Sequence, residues 1–242
     1  MQSEYLIVLM VFFFATLIRS ALGFGQALVA LPILALIMPV KTAVPICVLV
    51  SVLIAMVIVI QDGKKVDVDS AKWLILSAAS VLPIGIYVLV TFDAKSVKLG
   101  LGLFIIVYVL YSILNKKSYR IPNNRLYLFG FGLVSGVLGG AYGLNGPPLI
   151  VYGNLRGWSA EKFRATLQAY FLPLEIMGML GFWYEGLWTR EVSQYFLISV
   201  PVVLPAIFLG RIVNKKFRKE LFVGSVYATL VAIGLLMIYP FD

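Results

Sequence analysis

The chain has 242 residues, of which 61% are hydrophobic and only 13% charged, and it carries a formal net charge of +9. A soluble domain of this size does not need so much apolar surface, so the composition indicates a membrane protein. One cysteine and no histidine exclude an intrachain disulfide and argue against haem ligation, zinc catalysis and His-based acid–base chemistry. We therefore expect neither a cofactor nor a metal ion.

The first half of the chain contains four apolar segments. The first segment, Tyr5–Met38, is too long for one membrane span of about 20 residues, and it is broken at Leu22-Gly23-Phe24-Gly25-Gln26. The basic loop at residues 115–125 divides this first repeat, residues 1–114, from the second half. The other three apolar segments of the first repeat are Ala43–Ile60, Trp73–Phe92 and Leu99–Leu114.

The second half, residues 126–242, repeats this layout. Its long opening segment, Leu126–Tyr152, is broken at Gly139–Pro148, a stretch with four glycines and two prolines. These residues predict a helix that stops near Tyr142, a short unwound turn, and a new helix that begins at Pro147 or Pro148. The segments Ala165–Tyr184, Val192–Leu209 and Leu221–Tyr239 follow. The pattern predicts an all-α polytopic membrane protein built from two four-segment repeats.

The distribution of Lys and Arg distinguishes two topologies. If all eight segments cross the membrane, the loops on the two sides carry 11 and eight of these residues. If the two broken segments are re-entrant hairpins and six segments cross, the loops carry 15 and four. We favour the hairpins, which make the repeats inverted and bring the two breaks toward the midplane from opposite sides. Eight crossings, with kinked helices in place of hairpins, stay the alternative. The positive-inside rule then predicts that Lys64, Lys116, Lys162 and Lys216 are cytoplasmic.

The two breaks are also the predicted binding site. A helix that begins inside a membrane presents free N–H groups and the positive end of its dipole, which suits an anion. Broken helices at corresponding positions of two halves are typical of transporter binding sites. The residues that we expect at the site from these two turns are Gly23, Gly25 and Gln26 in the first and Gly143, Asn145, Gly146 and Pro147 in the second.

Four polar side chains within the apolar segments are further candidates, because a charge inside a membrane is costly. Arg19 either contacts an anion, or stabilises the hairpin through a carbonyl or carboxylate, or extends to the membrane surface. Glu175 either carries a coupling proton or forms an ion pair with Arg19. Gln168 lies seven residues before Glu175, on the same helical face, and Gln168 and Thr166 are candidate ligand donors.

Three motifs carry a resemblance to a known family. Gly23-Phe24-Gly25 with the following Pro32, then Gly143-Leu144-Asn145-Gly146-Pro147-Pro148-Leu149, then Arg164-Ala165-Thr166 resemble the sulfite exporter TauE/SafE family of membrane transporters. The resemblance covers nearly the whole chain. It implies export or uptake of sulfur-containing anions, organosulfonates or other organic acids. The chain departs from the family at Gln26 and Asn145, where further glycines are common, and this difference bears on the substrate.

We therefore predict a secondary transporter of the cytoplasmic membrane that moves a small anion, a sulfur oxyanion or organosulfonate, together with a coupled proton or other ion. A passive channel for small anions or organic acids is the alternative. An enzyme is disfavoured, since the chain lacks an acid–base pair, a nucleophile with a base, and a metal motif. The basic loops are typical of topogenic charge beside anionic lipid rather than of nucleic-acid binding. The sequence is compatible with an oligomer.

Overall fold

The computed structural model describes residues 2–62, 66–114, 121–122, 124–214, 230–231 and 234–235. These residues form helices joined by short turns and contain no strand. Most of the predicted linker 115–125 and of the last segment, 221–239, lies outside the described residues. The helices with defined bounds are α1 (Gln2–Leu22), α2 (Gln26–Ile37), α3 (Val40–Asp62), α4 (Val68–Thr91), α5 (Ala94–Leu114), α6 (Arg125–Tyr142), α7 (Gly146–Leu155), α8 (Ala160–Tyr184) and α9 (Arg190–Asn214).

The helix lengths confirm an all-α polytopic membrane protein. Among the described helices, α1, α3, α4, α5 and α9 are long and apolar enough to cross a membrane. Helix α8 is 25 residues long but carries charged residues in its first turns and Glu175 in its interior. Helix α3 is the most enclosed of the apolar spans, with 72% of its most hydrophobic window buried. The core of the protein therefore lies around α3.

Both predicted helix breaks are present. In the first, Gly23 has φ +88° and Gly25 has φ +101°, values in the left-handed region that residues with a Cβ rarely adopt. In the second, α6 ends at Tyr142, as predicted, and Gly143 caps it with φ +64°. Helix α7 begins at Gly146, one residue before the earlier of the two predicted positions.

The two ends of helix α4 lie at opposite faces of the protein, and each face is named after a residue that lies at that end of α4. Asp67 caps the start of α4, and Lys41, at the start of α3, donates a hydrogen bond of 2.7 Å to the carbonyl of Val90 at the end of α4. We call these sides the Asp67 face and the Lys41 face. Helix α8 runs parallel to α4, because Lys162 near its start lies 2.7 Å from the Asp67 carboxylate.

The α6–α7 unit enters from the Asp67 face and returns to it. Before α6 begins, the amide of Ile121 donates to the carbonyl of Leu155 at the end of α7, at 3.0 Å. The guanidinium of Arg125, the first residue of α6, lies 4.9 Å above the ring of Trp73 in the first turns of α4. Both ends of the unit therefore meet at one face, as in a re-entrant hairpin.

The α1–α2 unit has the opposite orientation. Helix α9 follows the end of α8 and so begins at the Lys41 face. Tyr5 of α1 packs on Tyr195 of α9, with ring centroids 5.2 Å apart, so α1 begins at the same face. Helix α2 ends at Ile37 and is followed at once by the start of α3, which also lies there. The two hairpins therefore point toward each other from opposite faces.

These contacts bear on the number of crossings. With eight alternating crossings, the loop before α4 and the loop before α8 would lie on opposite sides of the membrane. The ion pair between Lys162 and Asp67 joins the two loops, and the amide of Asp67 donates to the Thr166 hydroxyl at 2.9 Å. The arrangement agrees with hairpins and disagrees with eight crossings. The total of six crossings stays a prediction, since most of the last segment lies outside the described residues.

The two halves are interleaved. Helix α6 of the second half packs along α4 of the first, and its glycines at four-residue spacing allow the backbones to touch. A Cβ at Gly136 would lie 2.3 Å from the carbonyl oxygen of Ala78, and one at Gly140 would lie 2.2 Å from that of Leu82. Likewise, α1 of the first half packs on α9 of the second. Each hairpin is thus held by a helix of the other half, and the division at residues 114 and 126 stays a prediction from the sequence.

Candidate functional site

A small cavity lies between the tips of the two hairpins. It has a volume of about 20 Å³, which is room for roughly one water molecule. Eight of the eleven residues predicted for the site line this cavity, and three do not. The lining residues from that prediction are Arg19, Gly25, Gln26, Gly143, Asn145, Gly146, Pro147 and Glu175.

Arg19 is the centre of a buried polar network. Its Nη1 atom lies 3.3 Å from Oε1 of Glu175, and both side chains are at least 96% buried. The Ser51 hydroxyl accepts a hydrogen bond from the same Nη1 atom and donates one to Glu175. The Nη2 atom of Arg19 donates to Oε1 of Gln168 at 3.2 Å. Of the alternatives that the sequence left open for Arg19 and Glu175, the structure shows the ion pair.

The network is connected to the first hairpin tip. Nε2 of Gln168 donates to the carbonyl oxygen of Gly23 at 2.6 Å. Because Gln168 also accepts from Arg19, one side chain of α8 connects the cation with the backbone of the turn. Gly23 and Gln168 therefore support the cavity without lining it. Thr166 lies farther away, at the Asp67 face, where its hydroxyl accepts from the amide of Asp67.

An aromatic ring completes the surroundings of the cation. The guanidinium carbon of Arg19 lies 4.9 Å from the centroid of the Phe171 ring, within the range of a cation–π contact. Phe171 and Glu175 are one turn apart on α8, so both face the tip of the first hairpin. Neither Phe171 nor Ser51 was among the residues predicted for the site. The position of Ser51 at the middle of an apolar span was the available signal.

The two helix starts differ in the donors that they present. At the start of α2, residues Gln26, Ala27 and Leu28 line the cavity, and their N–H groups belong to the first turn, which has no intrahelical acceptor. At the start of α7, Gly146 is followed by Pro147 and Pro148, which have no N–H. The second helix start therefore presents fewer free N–H groups than the first.

Three buried polar atoms of the cavity residues make no hydrogen bond to described residues: Nε of Arg19, Oε1 of Gln26 and Oδ1 of Asn145. An unpaired buried polar group costs about 1–3 kcal/mol. A protein tolerates several such groups in one place when a ligand or water satisfies them. The part of the chain that the structure describes holds no group of three or more metal-ligating side chains, so no site for a metal ion is assigned.

The chain matches a known family of membrane proteins. The profile of the family described as sulfite exporter TauE/SafE matches residues 8–237, nearly the whole chain. The chain belongs to this family. No match was found among curated proteins or among solved structures.

Membership in the TauE/SafE family establishes the class of the protein. It is a multi-pass membrane protein of the cell membrane that transports sulfur-containing anions, and it is not an enzyme. Its partners are therefore a small anionic substrate and the lipid bilayer. The cavity between the hairpin tips, with a buried arginine and the start of α2, has the donors that such an anion requires.

Proposed function

We propose that the protein is a secondary transporter and that its substrate, a sulfur oxyanion such as sulfite or a small organosulfonate, binds in the cavity between the two hairpin tips. The observation that carries this proposal is the coincidence of a buried guanidinium, whose Nε donor is unpaired among the described residues, and a helix start around one small cavity. Arg19 supplies the full positive charge, and the start of α2 supplies roughly half a charge and N–H donors.

The small volume supports a carrier rather than a passive channel. The cavity has room for roughly one water molecule, and a sulfonate group is larger than water. Space of about 20 Å³ therefore does not admit the substrate until a hairpin tip moves. In alternating access, the site opens to one side of the membrane to bind the substrate and closes there before it releases the substrate to the other side. Here the two hairpins would move against the helices that hold them.

The glycines at the cavity allow close approach of an oxyanion to the backbone. A Cβ on Gly146 would lie 3.6 Å from Phe171, which is an ordinary contact. The fold itself would therefore accept a larger residue than glycine at this position. Gly25, in contrast, is required by its φ of +101°. We infer that Gly25 forms the turn and that Gly146 keeps room for the substrate.

The ion pair suggests how a proton is coupled to the anion. Arg19 and Glu175 together are neutral, so a singly charged anion that enters the cavity would leave one buried negative charge uncompensated. A proton on Glu175 removes this excess and leaves Arg19 for the anion. One proton would then move with each singly charged anion, through Glu175.

Titration calorimetry on the purified protein tests the binding site. Methanesulfonate and sulfite should bind, whereas neutral dimethyl sulfone, which has a similar shape, should not. The Arg19→Gln variant should lose the heat of anion binding. Equal binding of dimethyl sulfone, or full anion binding by Arg19→Gln, would contradict the proposed site.

A further inference from the structure

Helix α8 carries a line of side chains from the Asp67 face to the cavity. Arg164, Gln168, Phe171 and Glu175 are spaced by four, three and four residues, so they lie on one helical face. The inner three contact Arg19 directly, through hydrogen bonds, the cation–π contact and the ion pair. Arg164 is the outermost residue of this line, one turn before Gln168.

Arg164 lies against the tip of the first hairpin. A Cβ built on Gly23 would be 3.2 Å from Cγ of Arg164, so glycine at this turn leaves space for the arginine side chain. The carbonyl of the same glycine accepts the hydrogen bond from Gln168. Arg164 lies nearer the Asp67 face than Gln168 does, and its Nε and Nη2 atoms are buried although the residue as a whole is partly exposed. An anion that moves inward along α8 from that face would therefore meet the charge of Arg164 before that of Arg19.

A pair of aromatic rings connects the lining of the cavity with this part of α8. Phe24 lines the cavity, and its ring meets that of Phe163 edge to face, with centroids 6.1 Å apart. Both rings are partly exposed. Phe163 is adjacent to Arg164 in the chain, so displacement of Phe24 from Phe163 would connect the cavity with the surroundings of Arg164.

The opposite side of the cavity has a different character. Toward the Lys41 face, the tip of the second hairpin packs on apolar side chains of α3: a Cβ on Gly143 would lie 2.9 Å from Val48 and 4.0 Å from Val44. At the Asp67 face, in contrast, Lys162 is paired with Asp67 at 2.7 Å.

We propose that Arg164 is a second anion-binding residue, placed between the cavity and the Asp67 face, and that Phe24 and Phe163 form the closure between Arg164 and the central site. The inference rests on the proposed function, because it assumes that an anion occupies the cavity. The inference adds three features to the central site: the residue Arg164, access from the Asp67 face, and the movable contact between Phe24 and Phe163.

Thiol labelling tests this inference in the full-length protein. The Phe24→Cys variant, made in a Cys47→Ala background, is reconstituted in proteoliposomes. The orientation of the protein in these vesicles is determined by protease accessibility. Two membrane-impermeant thiosulfonate reagents of similar size, one bearing a sulfonate and one a trimethylammonium group, are applied to each side separately. We expect reaction from the Asp67 face and a preference of about tenfold or more for the sulfonate reagent, since a nearby guanidinium attracts one and repels the other.

Three further variants separate charge from structure. Arg164→Gln should bring the preference close to one, and Arg164→Lys should retain most of it. Arg125→Gln makes the same change of charge at the same face, in contact with Trp73, and should leave the preference unchanged. Reaction only from the Lys41 face, or a preference that persists in Arg164→Gln, would overturn the inference.

Uptake of radiolabelled sulfite by the Cys47→Ala protein, measured in the same proteoliposomes, distinguishes the two proposals. Saturable uptake without the Arg164-dependent preference refutes the inference and leaves the proposed function standing. The preference without saturable uptake supports the access path and refutes the carrier.

Discussion

Replacing Glu175 with glutamine removes the negative partner of Arg19 and leaves a buried guanidinium among neutral neighbours. Both side chains of the pair are at least 96% buried, so solvent does not compensate the loss. Breaking a buried ion pair costs about 3–5 kcal/mol. Each kcal/mol lowers the melting temperature of a chain of this size by about 2–4 °C. We expect Glu175→Gln to melt roughly 10 °C below the unmodified protein.

A bound anion should reverse this loss, because it supplies the charge that Glu175 no longer provides. A ligand present at 100 times its dissociation constant stabilises a protein by about 2.7 kcal/mol. Methanesulfonate should therefore restore roughly half or more of the lost melting temperature in Glu175→Gln. Its effect there should exceed its effect on the unmodified protein, in which Glu175 competes for Arg19.

Two variants are the matched controls, and thermal melting in detergent is the assay. Arg19→Gln is also expected to be destabilised, since it leaves Glu175 unpaired, but the anion should not restore it. The double variant should melt near the unmodified protein and respond to no anion. The reasoning is refuted if Glu175→Gln gains nothing from methanesulfonate, or gains as much from neutral dimethyl sulfone.

Further predictions concern the turn, a surface ion pair and the topology. Gly146→Ala should keep the fold and weaken methanesulfonate binding roughly tenfold, about 1.4 kcal/mol by calorimetry, whereas Asn145→Ala should weaken it less; the reverse order would count against backbone recognition at this turn. Burial opposes ionisation of Asp67, but hydrogen bonds from Lys162 and from the amide of Ser70 outweigh it and lower its pKa. The ionised Asp67 should therefore contribute about 0–1 kcal/mol of stability, in full above its unfolded pKa near 4. This contribution should be lost as the pH falls through the lowered pKa of the folded state. Melting curves of Asp67→Asn and of the unmodified protein at several pH values measure the difference. Thiols introduced singly at Lys116 and Lys162 should label from the same side of the membrane, and labelling from opposite sides would restore the model of eight crossings.

The positions of the helix breaks could be predicted from the sequence because they follow from local chemistry. Glycine permits the left-handed backbone at Gly23, Gly25 and Gly143, and proline fits the first turn of α7. These preferences act within a few residues and need no knowledge of the partner helix. The smaller number of free N–H groups at the second turn has an equally local cause, since the two prolines that lack them are visible in the sequence.

The partners of the polar side chains could not be derived in the same way. Arg19 and Glu175 are 156 residues apart, and their pairing depends on how α1 and α8 rotate when they pack. The sequence therefore left ion pairing and ligand binding as alternatives. The central position of Ser51 in α3 does not show which way its hydroxyl points, so its hydrogen bond to Glu175 could not be predicted. Thr166, adjacent to Ala165 in the family motif, faces Asp67 rather than the cavity.

The membrane topology was partly predictable from the sequence, unlike the helix breaks, which were predictable, and the polar contacts, which were not. Charge counts favoured hairpins, since 15 and four basic residues on the two sides are far more asymmetric than 11 and eight. The contacts that distinguish the alternatives, such as Lys162 with Asp67, join loops that are nearly 100 residues apart. Only the packed arrangement shows them. The hairpin interpretation therefore had a statistical basis in the sequence and gains a geometric one from the fold.

The most direct test of the account is uptake of radiolabelled sulfite into proteoliposomes that hold the purified protein, with and without an imposed pH gradient. We predict uptake that saturates with sulfite concentration and accumulates the anion above its equilibrium level when the gradient drives protons in the same direction. Vesicles with the Arg19→Gln/Glu175→Gln double variant, expected to be stably folded, should show neither effect. Flux that rises linearly with concentration, with no accumulation under any gradient, would contradict the carrier and indicate a passive channel.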